Sequence, residues 1–317
     1  MFDVAIVGGG TAGLSAALVL GRARRNVLLL DGGSPRNEPA QAAHGFFTRD
    51  GTAPLDLLEI GREQLEPYPV QVWQAEVADA HQTDEGFELA LTDGRGASAR
   101  KLILATGVVD ELPDIPSVRE FWGRGVFHCP YCHGWEVRER PWAILHIGSM
   151  AFERAALFLN WTPHLLLLTN GEFTLEDSER QRLLALGVRI DERPIADLEG
   201  SPDGGELRAV KFEDGPDLAV AALFIAPPQR LRSGLADSLD CKIAEIEPVG
   251  WPLVETDPLT GETSTAGVYA AGDAVTTPSQ SLILAAASGA RAAYFSNHAL
   301  ALEDAQRTVD RAMAGQR

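Results

Sequence analysis

Phe2-Asp3-Val4-Ala5-Ile6-Val7-Gly8-Gly9-Gly10-Thr11-Ala12-Gly13 decides the reading of the chain. Its apolar run is the kind that forms a strand buried on both faces of a parallel sheet. The run feeds a G-x-G-x-x-G turn made by Gly8, Gly10 and Gly13, with Thr11 and Ala12 inside it. Glycine at these positions permits a tight turn, close approach of backbone to a pyrophosphate, and packing of the next helix on the strand. That helix carries Leu14, Ala17, Leu18 and Gly21 on one face and aims its N-terminus at the phosphates. A second strand over 26–30 ends at Asp31, where an acid accepts ribose hydroxyls. Strand, turn, helix, strand and acid in this order predict a dinucleotide-binding α/β domain.

A second stretch carries chemistry: His128-Cys129-Pro130-Tyr131-Cys132-His133-Gly134-Trp135. Two cysteines with two residues between them, on the first turn of a helix, close a small disulfide ring or hold a low-pKa thiolate. Three plainer readings compete. A zinc site would have to recruit His128 and His133, because the third cysteine, Cys241, is distant. Cys-x-x-Cys-His is also the attachment signature of c-type haem, which belongs to exported chains, and two buried cysteines can be structural. Redox chemistry accounts for the spacing best, and no metal is expected.

Composition sets the limits. At 317 residues the chain suits two domains, and 45% hydrophobic with 23% charged residues is ordinary for a globular protein. A net charge of −18 argues against nucleic acid or an anionic membrane as partner, since both demand clustered Lys and Arg. Asp3 and the glycines interrupt what a signal peptide would need, and no segment approaches the ~18 apolar residues of a membrane span. A cytoplasmic protein is expected, and there a disulfide persists when it is catalytic.

Along the chain, 54–65 suits an amphipathic helix, and 70–78, 87–92 and 99–104 read as strands with turns at Asp84-Glu85-Gly86 and Asp93-Gly94. Glu111-Leu112-Pro113-Asp114-Ile115-Pro116 reads as a linker into a second domain. That domain carries the cysteine pair and a second βαβ unit: a strand over 142–147, a turn at Gly148, a helix over 150–160 and a strand over 164–169. Thr174 with Asp177 predicts a capping box, and Gly187 a helix stop. The segment 241–258 returns the chain to the first domain, which closes on an alanine-rich helix through about Leu300. The expected architecture is two Rossmann-like three-layer domains, the second (117–241) inserted into the first (1–113 and 245–317).

Two further strand ends add to the first. Lys101-Leu102-Ile103-Leu104-Ala105-Thr106-Gly107 and Gly267-Val268-Tyr269-Ala270-Ala271-Gly272-Asp273 each finish a strand in a small-residue turn. G-x-G-x-x-G, then A-T-G, then G-x-Y-A-A-G-D, with C-x-x-C between the last two, resembles the low-molecular-weight thioredoxin reductase superfamily over essentially the whole chain. The resemblance implies FAD held by Gly8, Gly10, Thr11, Ala12, Gly13, Asp31, Ala105, Thr106, Gly107, Gly272 and Asp273. Asp273 taken alone would also suit a helix N-cap. Ser34-Pro35-Arg36-Asn37 and His44-Gly45-Phe46 resemble segments that lie along the flavin, which makes Asn37 and His44 candidate contacts. Ser281 and Leu282 stand where the superfamily has an Arg-Gln or Ala-Gln pair, and would offer backbone amides to the reduced flavin. A homodimer is also implied.

The same resemblance gives roles to the second stretch. Cys132 would face the flavin, Cys129 would exchange with substrate thiols, and His133 would be the base, with Tyr131 and Trp135 walling the pocket and His128 packing. The chain departs from NADPH-using reductases at the second βαβ. Its turn reads Gly148-Ser149-Met150-Ala151-Phe152-Glu153, where Met150 obstructs backbone approach and Glu153 has the wrong sign, and Thr169-Asn170-Gly171-Glu172 lacks the basic cluster for a 2′-phosphate. NADPH is therefore a doubtful cofactor. Histidine directly after the second cysteine is similar to the FAD-dependent dithiol oxidases of gliotoxin-, holomycin- and romidepsin-type biosynthesis. In those enzymes a small dithiol reduces the disulfide and oxygen accepts the electrons. Alternatives are a reductase of a thioredoxin-like protein, fed by NADPH through a non-standard site or by ferredoxin, and a flavin-bearing redox sensor.

Overall fold

The computed structural model describes residues 1–145, 150–201, 206–246, 250–275 and 279–314. The chain divides into two compact units, one of residues 1–36, 55–109 and 229–317, the other of 37–54 and 110–228. Both are built on parallel sheets, as the Rossmann-like reading expects.

In the first unit, β1 (Phe2–Val7), α1 (Thr11–Arg22), β2 (Val27–Asp31), α2 (Pro54–Glu63) and β3 (Val70–Gln74) follow one another. A meander of β4 (Val77–Thr83), β5 (Gly86–Leu91) and β6 (Gly96–Leu104) comes next. The sheet order is β3-β2-β1-β6-β5-β4. The expected single strand over 70–78 is two strands. β3 pairs parallel with β2, while the Ala75 N–H turns back to the Asp31 carbonyl, and β4 starts the antiparallel ribbon. No glycine or proline marks that break, so composition gave no sign of it. Successive residues of β1 face opposite layers, Ala5 and Val7 to one core and Val4 and Ile6 to the other.

The second unit takes up the chain through β7 (Val108–Asp110), α3 (Val118–Phe121), β8 (Val126–Phe127) and the single turn α4 (Pro130–His133). It continues with β9 (Trp142–Leu145), α5 (Ala151–Phe158), β10 (Leu165–Leu168), α6 (Asp177–Ala185) and β11 (Arg189–Asp191). An antiparallel layer of β12 (Ile195–Gly200), β13 (Leu207–Phe212) and β14 (Leu218–Ala219) precedes β15 (Ala222–Phe224). The parallel sheet runs β11-β10-β9-β15-β8. The capping box expected at Thr174 does not form: α6 begins at Asp177, with Glu176 in the cap position and no side-chain cap. Asp177 and Glu179 in the first turn complement the helix dipole instead. Gly187 does end the helix, with φ of +79° and its N–H on the Leu184 carbonyl.

The chain then completes the first unit with β16 (Gln229–Leu231), α7 (Leu235–Ser238), the hairpin β17 (Ile243–Ile246) and β18 (Trp251–Val254), β19 (Val268–Ala270) and α8 (Leu282–Ala314). β19 lies parallel to the C-terminal end of β6. The units divide at 109/110 and 228/229, whereas the sequence suggested 113/117 and 241/245. Cys241 accordingly packs in the first unit with Leu235, Leu239 and Val254. Segment 37–54, expected beside the flavin-binding fold, belongs to the second unit. α8 runs well past Leu300 because Glu303 and Asp304 are held by Arg25, Arg100 and Lys101.

Candidate functional site

In the first unit the glycine turn is shaped by backbone contact. A Cβ on Gly8 would overlap the Ala105 carbonyl, one on Gly13 the Gly8 carbonyl, and one on Gly9 the Asp31 carboxyl. Around the Cβ position of Gly10 there is no atom within 4 Å, so the turn is closed on its packed side and open on the other. Gly10 precedes α1 with no side-chain cap and no acid in the first turn. The N–H groups there are left for an anion.

Other strand ends complete the cradle. Ala105 hydrogen-bonds the Val7 carbonyl through its N–H, and the Thr106 nitrogen lies 3.3 Å from the Cβ position of Gly8. Gly107 has φ of +69° and its carbonyl accepts from the Arg232 N–H. Gly272, at φ of +78°, abuts Ala12 of α1 and donates its N–H to Ser288 Oγ at 2.9 Å. Asp31 is 7% exposed; its Oδ1 accepts from the Gly33 N–H at 2.9 Å and its Oδ2 from Arg62 Nη2 at 3.0 Å. Asp273 pairs with Arg36 at 2.8 Å. Gly8, Gly10–Gly13, Asp31, Ala105–Gly107, Gly272 and Asp273 thus gather at one end of β1, β2, β6 and β19. The open face over Gly10 and the free first turn of α1 fit a dinucleotide pyrophosphate.

Ser281 caps α8, its Oγ accepting from the Leu284 N–H at 3.4 Å and its carbonyl from the Ala285 N–H at 2.9 Å, with Leu282 opening the helix. Asn37 and His44 belong to the second unit. Asn37 accepts from the Ala40 N–H in a turn of the second unit. Sequence reading missed Arg62, Arg36, Gln229 and Gln280, whose roles depend on partners far away in the chain.

In the second unit β8 leads straight into the cysteine pair. Cys129 is the extended residue ahead of α4, Pro130 its first residue, and the Cys132 N–H turns back to the Cys129 carbonyl at 3.3 Å. Both cysteines are half-buried. His133 stacks on Phe127, ring centroids 4.4 Å apart and planes 12° from parallel, and its ring nitrogens are buried without a hydrogen-bond partner. Burial first, and repulsion from His44 second, push the His133 imidazole down to about 4. His44 itself lies 3.5 Å from Asp50 through Nδ1 and 3.5 Å from Glu136 through Nε2. Tyr131 and Trp135, expected as pocket walls, are 70% and 66% exposed; Tyr131 packs edge-on against Trp161 and Trp135 lies under Arg138.

The depressed His133 value gives a pH signature. A histidine that binds its proton near 4 folded and near 6.5 unfolded adds stability in full above pH 6.5, and that stability is lost as pH falls toward 4. The linkage amounts to about 3 kcal/mol across that window. His133→Phe keeps the stack on Phe127 and removes the titration. Its melting temperature should fall less than the wild type's between pH 7 and 4.5, and an unchanged difference would place the acid sensitivity elsewhere.

The turn of the second βαβ, expected to make NADPH a doubtful cofactor, is described from Met150 onward. Gly148 and Ser149 lie outside the described residues, but Met150 precedes α5 in a left-handed conformation, φ +72°, with its side chain 44% exposed. A bulky residue is strained there. Glu153 is the acid of the first turn. After β10, Asn170 Oδ1 accepts from the Ile195 N–H and Asn170 Nδ2 donates to Glu172, while Arg180 and Arg193 pair with Glu192 and Asp191. Among the described residues no three His, Cys, Asp or Glu side chains group as metal ligands. No described helix is long and apolar enough to cross a membrane.

Comparison with known proteins gives consistent matches. The family model for pyridine nucleotide-disulphide oxidoreductase matches residues 2–292. Thioredoxin reductase tcpT of Claviceps purpurea is 34% identical over 281 residues, 86% of each chain. Thioredoxin reductase sirT of Leptosphaeria maculans is 33% identical, with 92% of each chain covered. Among solved structures, HlmI superposes with a TM-score of 0.91 at 37% identity, covering 100% of this chain and 98% of that one. An oxidoreductase from Agrobacterium tumefaciens gives 0.87 at 37% identity, covering 95% and 99%.

Proposed function

The chain belongs to the pyridine nucleotide-disulphide oxidoreductase family, as a thioredoxin reductase-like enzyme, and from that premise we propose that it is an FAD-dependent oxidase of a small dithiol, with oxygen as acceptor. The observation that carries the reading is the conjunction in one unit of Cys129-x-x-Cys132 with the neutral His133, whose ring nitrogens are buried, and of Met150 where NADPH would need glycine. A thioredoxin-like protein is the alternative source of thiols, and the chain's thioredoxin reductase relatives favour keeping it in view.

Bound FAD would supply a two-electron acceptor, held by the glycine turn, Asp31, Ala105–Gly107, Gly272 and Asp273. The protein's own residues do the thiol work. A substrate thiolate attacks Cys129 Sγ of the disulfide, and Cys132 leaves as thiolate. The second substrate thiol then attacks the substrate sulfur of the mixed disulfide and releases Cys129. Two protons leave the substrate in the process, and one of them is assigned to His133.

An imidazole at about 4 faced with an ordinary thiol near 8.5 is a weak acceptor: the transfer is uphill by roughly 6 kcal/mol. A thiolate forming against the ring raises the imidazole's proton affinity and offsets part of that, since an opposite charge within a few Å favours the charged form. His133 thus accepts a proton only when a thiolate is beside it. The exposed rings of Tyr131 and Trp135 suit a flat, apolar dithiol.

The test is an anaerobic titration of the purified flavoprotein. Dithiothreitol should bleach the flavin stoichiometrically and NADPH should not, and readmitted air should restore the colour with one peroxide per dithiol. Fast, stoichiometric bleaching by NADPH would overturn the oxidase reading in favour of a reductase.

A further inference from the structure

Asp273 lies in the turn after β19, beside the N-terminus of α1, because Gly272 packs on Ala12. A carboxylate at that place faces a difficulty. The site is made for the phosphates of a dinucleotide, and two like charges a few Å apart in a partly buried site repel strongly. We propose that Arg36 is the positioning residue that lets Asp273 stand beside an anionic dinucleotide, by neutralising its charge and fixing its orientation. The inference rests on the FAD reading given above.

Arg36 Nη1 donates to Asp273 Oδ2 at 2.8 Å and to Gln280 Oε1 at 2.6 Å. Gln280 is itself fixed by a reciprocal amide pair: Gln229 Nε2 donates to Gln280 Oε1 at 3.0 Å, and Gln280 Nε2 to Gln229 Oε1 at 2.8 Å. Gln229 is only 6% exposed, so the pair is a rigid post. The Arg36 and Asp273 side chains are 19% and 22% exposed, so water screens their attraction little. Three residues, from β16, from the turn after β19 and from the approach to α8, therefore serve one guanidinium in the loop after β2. A surface ion pair would not need a buried glutamine and its half-buried partner to aim it.

The charge argument separates this role from packing. In Arg36→Met, FAD affinity should fall at least tenfold at low ionic strength, and the deficit should shrink as salt is added. Adding Asp273→Asn to Arg36→Met removes the uncompensated carboxylate and should restore most of the affinity. Arg36→Lys, which keeps the charge, should bind within about threefold of wild type and controls for folding. Affinity is read by quenching of flavin fluorescence, with circular dichroism on each variant. If Arg36→Met binds FAD as wild type does, or if the double variant binds no better than Arg36→Met, the inference is overturned. A wild-type protein that takes up no FAD would sink the cofactor reading itself.

Discussion

Replacing Cys132 by serine should lower dithiol-driven flavin reduction at least a thousandfold while FAD stays bound. A serine hydroxyl forms no disulfide, so the electron pair of the substrate dithiol has nowhere to go, and loss of a covalent group in a two-step exchange removes the pathway rather than slowing it. Cys129→Ser should lose turnover as fully, and the two variants differ in what they trap. With Cys129 as the exchanging thiol, Cys132→Ser should form a mixed disulfide at position 129 with glutathione disulfide, releasing one glutathione. Mass spectrometry reads that adduct directly. Faster capture at Cys132 in Cys129→Ser would reverse the assignment of the two sulfurs, and turnover within tenfold of wild type in either variant would remove the cysteine pair from the reaction.

The second large effect lies in the glycine turn, where neighbouring positions should fail differently. Gly8→Ala should cost about 3–5 kcal/mol, since a φ of +114° is strained for any side chain and the new methyl meets the Ala105 carbonyl, which no rotamer change relieves. A loss of that size is a large fraction of ordinary domain stability, so this variant should aggregate or melt far earlier. Gly10→Ala has φ of −73° and open space around the new methyl, so the fold should persist. The methyl would stand where a pyrophosphate approaches, and the protein should purify colourless, with FAD affinity down about a hundredfold. A Gly10→Ala protein that keeps its full flavin complement would show that this turn does not hold the cofactor.

Local signals in the sequence and in the fold agree closely. The buried run 2–7, the three glycines and the acid at Asp31 are read from neighbours within a few residues, and each falls where its pattern puts it. The same holds for Cys129 and Cys132, whose spacing alone sets them on one turn. What escaped the sequence is long-range. Nothing near Arg62 says that it will close on Asp31, and nothing near Arg36 announces Gln280. The Thr174 pattern misled because a hydroxyl followed by an acid is necessary for a capping box and not sufficient, and α6 takes its start from Glu176. His44, a flavin contact by resemblance, has its ring between Asp50 and Glu136, and nothing near it in the sequence announces Glu136 or its effect on the titration of His133.

Because residues 37–54 leave their flanking elements and join 110–228, the cysteine-bearing unit is assembled from two stretches of chain. An excised piece comprising 110–228 would lack His44, which lies against Glu136, and Asp50, which lies against His44. Anyone wishing to graft this dithiol centre elsewhere would have to carry both stretches, joined by a short artificial connector. A homologous swap at a single cut point would separate the thiols from part of their electrostatic surroundings.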